Sequence, residues 1–314
     1  MATRAENHEA APFAERFFES RDGLRLFMRD YGAAQTDGPP VVCLPGLTRN
    51  SADFAPLAQA LSSGAAGERR RRVLALDYRG RGRSAFDPDW RNYSLPVEGD
   101  DILRALDFAG IERAFFVGTS RGGMLAMLLG ALRPSCLAGV VLNDIGPVIE
   151  RRGLDRIRGY VGKYPPPTTL EEGVAYLKRT MSGFSVPEES WRAYAAATFV
   201  DEAGRVGARY DPAIGKAFAE FAPDDGLTEK MWALFDALRD IPLMILRGET
   251  SDLLSPETVR EMTRRHPGAQ TLTVAGQGHA PFLAEAATIG EIARFIARAE
   301  AAAPAPPASA VSSQ

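Results

Sequence analysis

Short, wholly apolar runs recur along this chain: VVCL at 41–44, VLAL at 73–76, AFFVG at 114–118, LAGVVL at 137–142 and PLMIL at 242–246. Each is followed by a helical pattern. A strand with one wet face alternates apolar and polar residues, whereas a strand apolar throughout is covered on both faces. Strands of that kind separated by helices predict an α/β fold with a mostly parallel central sheet flanked by helices. Ahead of the first buried run, ERFFES and LRLFMRDYG read as an antiparallel pair turning at Asp22-Gly23.

The helical stretches carry end signals. SADFAPLAQALSS has Ser51 as its expected N-cap, and LPVEGDDILRALDFAG stops at Gly110. SPETVREMTRRH and APFLAEAATIGEIARFIARAE complete the set after the later strands. From 147 to 238 the alternation ceases: the pattern is helical, it is broken by KYPPPTT, and no strand is evident. One α/β core, residues 1–146 and 239–300, interrupted by a helical cap at 147–238, accounts for this. The low-complexity tail 301–314 is expected to be disordered.

One strand-to-helix junction carries chemistry. Gly118-Thr119-Ser120-Arg121-Gly122 matches G-x-S-x-G with a strand before it and a helix after it. A sharp turn there strains the central residue and crowds its neighbours, so glycines at 118 and 122 remove side chains that would clash. Ser120 then projects from the sheet edge. A neutral hydroxyl needs a base. Of the three histidines, His8 lies in the polar start and His266 ends a polar helix, where a solvated cap is expected. His279 lies in GQGHAPF after the last strand, at the edge where strand C-termini gather. The orienting carboxylate is expected at Asp252, in RGETSDLLSP. Asp144, in LNDIGP, is the rival, and Glu249 reads as a loop residue. The backbone N–H groups of Leu47, in LPGLTRN, and of Arg121, at a helix start, are the candidate oxyanion donors.

Composition excludes several classes. Net charge is −3, so no global field recruits nucleic acid; the run Arg69–Arg72 is expected to be a solvated loop. MATRAENHEAAP has no apolar signal core, and no stretch is long enough for membrane insertion. Cys43 and Cys136 sit in or beside apolar runs and read as buried free thiols, which fits a cytoplasmic setting. No Cys/His cluster has metal-ligand spacing, so no metal site is expected. The sequence carries no signal of oligomeric state.

LPGLTRN, DYRGRGRS, GTSRGG, GETSDLLSP and GQGHAPF together resemble the α/β-hydrolase superfamily, in particular its single-chain members with a helical cap. The likeness runs over roughly residues 15–300. It implies a triad of Ser120, Asp252 and His279, oxyanion donors at Leu47 and Arg121, and no cofactor. Pro45 stands where many members have histidine; the donors are backbone groups, so the change need not abolish activity. Asp77, Arg79, Arg81 and Arg83 are expected to hold their loop together by ion pairs. A serine nucleophile implies acyl transfer to water: an ester, lactone, thioester or activated amide, with a small-molecule acyl substrate. Other reactions known for similar triads are carbon–carbon bond hydrolysis, where Arg121 or Arg192 would face a substrate carboxylate, and cofactor-free perhydrolysis. A non-catalytic ligand-binding member is the third alternative. The cap is expected to cover Ser120, with Tyr160, Tyr164, Trp191 and Trp232 as candidates for the pocket wall.

Overall fold

A computed structural model describes residues 13–302 apart from 33–37, 67–68, 164, 182, 202 and 221–224. The tail expected to be disordered and His8 lie outside the described residues, save that Ala301 and Ala302 end the last helix. Eight strands form one sheet in the order β1-β2-β4-β3-β5-β6-β7-β8. β1 (Ala14–Glu19) and β2 (Arg25–Tyr31) make the antiparallel hairpin, and β2 pairs antiparallel with β4 (Val73–Asp77). All remaining pairs are parallel: β3 (Val41–Leu44), β5 (Ala114–Thr119), β6 (Leu137–Asn143), β7 (Leu243–Gly248) and β8 (Gln270–Val274). β3, β4 and β6 are buried along their whole length, as strands with helices on both faces must be.

Two cores flank the sheet. One face packs Met28, Leu76, Phe116 and Leu142 against α2 (Leu95–Ala109) and α3 (Arg121–Leu132). The other packs Phe115, Val117 and Val141 against α1 (Ala55–Ser63) and α10 (Ala286–Ala302). Gly110 ends α2 with φ 66, a left-handed stop that a residue without Cβ adopts freely. The expected cap at Ser51 moves by one residue. Asn50 accepts from the Ala52 N–H and opens a short 3₁₀ turn that leads into α1. The last helix begins at Ala286, six residues later than APFLAE suggests.

The segment 147–238 contains α4 (Arg151–Tyr160), α5 (Leu170–Thr180), α6 (Glu188–Phe199), α7 (Ile214–Ala219) and α8 (Asp225–Asp236). α5 and α6 share a small core of their own, Val174, Leu177, Trp191 and Phe199. α8 behaves differently. Its Met231 and Phe235, with Leu238 beyond its end, belong to the main core, and Leu238 packs so close to α3 that a Cβ on Gly130 would meet it at 2.6 Å. The helix that closes the expected cap is thus part of the layer under the sheet. α9 (Pro256–Arg265) follows β7 and is capped by Ser255. His266, expected to be solvated, is buried, with Nε2 on the carbonyls of Leu238 and Ile241. Both cysteines are free and buried; burial pushes the Cys136 thiol up to about 11.

Candidate active site

β5 delivers Ser120 to the C-terminal edge of the sheet. Its φ of 51 and ψ of −112 lie outside the ordinary regions for a side-chain-bearing residue. The turn closes because its neighbours have no side chains. A Cβ on Gly118 would sit 2.5 Å from the backbone of Gly122, and one on Gly122 would sit 2.0 Å from the Leu44 carbonyl oxygen. The Ser120 N–H donates to the Asn143 carbonyl, tying the turn to β6.

His279 meets Ser120 as expected: Nε2 lies 3.0 Å from Ser120 Oγ. The other ring nitrogen corrects the expected acid. Nδ1 donates to Asp144 Oδ2 at 2.8 Å, whereas Asp252 is engaged by Arg156, whose Nε and terminal nitrogen reach its two oxygens at 2.6 and 2.9 Å. Asp144 is fully buried at the end of β6 with φ 58. Oδ1 accepts from the Gly248 N–H at 2.7 Å, and Oδ2 also accepts from Ser251 Oγ at 2.6 Å. The end of β7 and the loop after it therefore supply an amide and a hydroxyl that hold the Asp144 carboxylate, while the loop's own carboxylate, Asp252, turns to Arg156. Burial alone would raise the Asp252 pKa; the hydrogen bonds and charge of Arg156 outweigh that and hold it below the ordinary value. Asn143, unremarked in the sequence, clamps the site: its Nδ2 donates to Thr119 Oγ1 and to the Pro281 carbonyl beside His279. The only sequence signal for it is a polar side chain at the end of an otherwise apolar strand.

Leu47 and Arg121 both border a cavity with Ser120, and a Cβ on Gly46 would lie 3.9 Å from that of Ser120. The carbonyls around Leu47 are tied down. Tyr78 Oη donates to the Pro45 carbonyl, and Arg81 Nε to the Leu47 carbonyl at 2.8 Å. Arg81 also donates to Glu98 Oε1 at 2.8 Å, and Arg121 Nε reaches Glu98 Oε2 at 2.5 Å. Arg81 and Glu98 have no exposed surface. Arg79 binds Asp22, Asp87 and Asp101, and Arg83 binds Glu15. The arginines of DYRGRGRS are thus loop-holding ion pairs, while Asp77 departs from that expectation: it accepts from the Ser51 and Arg83 backbone amides. In the basic run, Arg71 is buried on Glu300 rather than solvated.

The cavity holds about 470 Å³ and is walled mainly by apolar side chains, among them Met124, Ile145, Leu154, Ile214 and Phe218. A smaller one of about 80 Å³ adjoins it at Ser120 and includes Tyr160, Tyr194 and His279. Of the aromatics expected in the wall, Tyr160 borders the smaller cavity. Trp191 packs in the α5–α6 core on Phe184 and Phe282, and Trp232 meets Phe235 edge-to-face under the Arg265 guanidinium and lines neither cavity. Tyr164 lies outside the described residues. The aromatics of the large wall are Trp90, Tyr93 and Phe218. Arg121 borders the larger cavity and is held by Glu98, and Arg192 pairs with Glu171 at the surface. Among the described residues no cluster could hold a metal ion, and no helix is long and apolar enough to cross a membrane.

A model of the alpha/beta hydrolase family matches residues 41–291. The chain is 33% identical over 263 residues to a 3-hydroxybutyrate-oligomer hydrolase of Cupriavidus necator, covering 81% of this chain and 87% of that one. It is 29% identical over 278 residues to the 2-(acetamidomethylene)succinate hydrolase of Mesorhizobium japonicum, covering 86% and 92%. Among solved structures, an alpha/beta hydrolase from Novosphingobium aromaticivorans is similar with a TM-score of 0.82 at 39% identity, over 92% of this chain and 99% of that one.

Proposed function

The chain belongs to the alpha/beta hydrolase family and is a hydrolase; we propose that it cleaves a carboxylic ester or related acyl bond through an acyl-enzyme on Ser120. The observation that carries this reading is the unbroken hydrogen-bond chain from Ser120 Oγ through His279 to Asp144. Asp144, buried and fixed by Gly248 and Ser251, holds the tautomer that leaves His279 Nε2 free to accept a proton.

Ser120 Oγ attacks the carbonyl carbon as its proton passes to His279 Nε2. The carbonyl electrons collect on oxygen, where the N–H groups of Leu47 and Arg121 receive the charge. Collapse breaks the bond to the leaving group, which takes the proton from His279. Water then attacks the acyl-enzyme and gives its proton to the same nitrogen; collapse breaks the bond from carbon to Ser120 Oγ, Oγ takes that proton back from His279, and the acid leaves. The apolar cavity excludes bulk water from these steps. Similarity to the 3-hydroxybutyrate-oligomer hydrolase supports an acyl bond as the target.

Turnover of p-nitrophenyl butyrate by the wild type and Ser120→Ala tests the reading. Loss of the triad serine is expected to lower kcat by a factor on the order of 10⁴ to 10⁶ with the fold intact. Retention of more than about a tenth of the wild-type kcat overturns it.

A further inference from the structure

The space above Ser120 divides unequally, and the division bears on which half of an ester goes where. The two cavities share Leu47, Ser120 and Ile157. His279 borders the smaller, of about 80 Å³, and not the larger. Arg121 borders the larger, of about 470 Å³, and not the smaller. The larger cavity thus has about six times the volume of the smaller. Apolar side chains dominate both walls. The larger presents Met124, Ile145, Ile149, Leu154, Ile214 and Phe218. The smaller presents Val161, Leu177, Met181 and Phe199 together with Tyr160, Thr180, Tyr194 and Thr198, with Arg49 held by Asp53 and lying 3.9 Å above the Tyr194 ring.

Proton transfer fixes the direction. In the tetrahedral intermediate the reacting carbon carries Ser120 Oγ, the oxyanion, the acyl chain and the leaving oxygen. Only the leaving oxygen must receive the proton held on His279 Nε2, so it must lie on the histidine side. The acyl chain is then directed away from His279. From this we infer that the larger apolar cavity is the acyl site and the smaller cavity, on the His279 side, is the leaving-group site, which makes the substrate class esters of a medium-length apolar acid with a short alcohol. The inference rests on the Ser120–His279 chemistry proposed above. The bonds broken and formed are those already described: the carbon–oxygen bond to the short alcohol breaks, and that alcohol leaves with the His279 proton.

Isomeric ester pairs separate direction from hydrophobicity. Ethyl butyrate and butyl acetate share one formula, as do ethyl hexanoate and hexyl acetate, and ethyl octanoate and octyl acetate. With wild-type enzyme, kcat/KM is expected to rise about fourfold for each methylene added to the acid. Lengthening the alcohol of the acetates should give no such rise. Ala217→Phe, which adds bulk to the larger cavity, should move the optimum to a shorter acid. A rise along the acetate series, with none along the ethyl series, overturns the assignment while leaving the Ser120 chemistry standing. Absence of Ser120-dependent turnover in both series, together with no labelling of Ser120 by a fluorophosphonate, overturns the hydrolytic reading and this one with it.

Discussion

Asp144 and Asp252 both follow strands at one edge of the sheet, and both act electrostatically or directly on His279, so their roles are separated by contacts rather than by position. His279 Nδ1 lies on Asp144, and the Asp252 carboxylate is taken by Arg156. Asp144→Asn is therefore expected to lower kcat by about 10⁴ through loss of the correct tautomer. Asp252→Asn should cost kcat less than about tenfold, since it removes no group bonded to the imidazole. Parallel kcat measurements check the ranking, and the reverse order would return the acid to the later strand. Ser120 and His279 were legible in the sequence because a G-x-S-x-G junction and a lone loop histidine each have few structural alternatives. The carboxylate that meets His279 was not, because chain order alone fits either aspartate. What sets Asp144 rather than Asp252 against His279 Nδ1 is a bend at Asp144, φ 58, and three partners drawn from β7 and the loops after β7 and β8. Those partners are distant in sequence and leave no local mark.

At the scale of elements, strands and helices were readable from their apolar patterning, and the errors gather at ends. Asn50 rather than Ser51 caps the first turn, and α10 starts late, because caps are decided by one side-chain hydrogen bond. Less readable was how loops are tied to one another. Glu98 on α2 joins Arg81, which holds the Leu47 carbonyl, to Arg121, which opens α3. One buried carboxylate thus connects the two segments assigned the oxyanion N–H groups. Glu98→Gln puts an amide donor against one of two arginines, so the spacing of the two segments should relax. The expected result is a fall in kcat of roughly tenfold or more, up to the 10²–10³ cost of losing an oxyanion donor, with a smaller change in KM. Inhibition by a trifluoromethyl ketone, which forms an oxyanion adduct, should weaken in parallel. A lowered Tm with unchanged ketone affinity would assign Glu98 to stability alone.

Over the whole molecule, the alternation of strands and helices announced a core with an insertion, but neither the seat of that insertion nor its pocket follows from patterning. Trp191 and Trp232 look like wall residues in sequence and serve other packing, since an aromatic fills a helix interface as readily as a cavity. One contact that joins the insertion to the core is the Arg156–Asp252 pair: Arg156 belongs to α4, it also donates to the Thr180 carbonyl at the end of α5, and Asp252 sits in the loop that holds Asp144. Both side chains are largely buried, at 17% and 5% exposure, so the pair is shielded more than a surface salt bridge. Asp252→Asn is expected to lower stability by about 1.5–3 kcal/mol, the range for a hydrogen bond to a charged group. Its pH dependence has a definite sign. The folded pKa of Asp252 is depressed, so the contribution is present in full above the unfolded value of about 3.9 and is lost as pH falls through the folded value. The Tm difference between wild type and Asp252→Asn should therefore stay constant from about pH 8 to about pH 5 and shrink below about pH 4. A difference that instead grows on acidification would mean that Asp252 is destabilised by burial in the folded state, and that Arg156 does not fasten the insertion to the core.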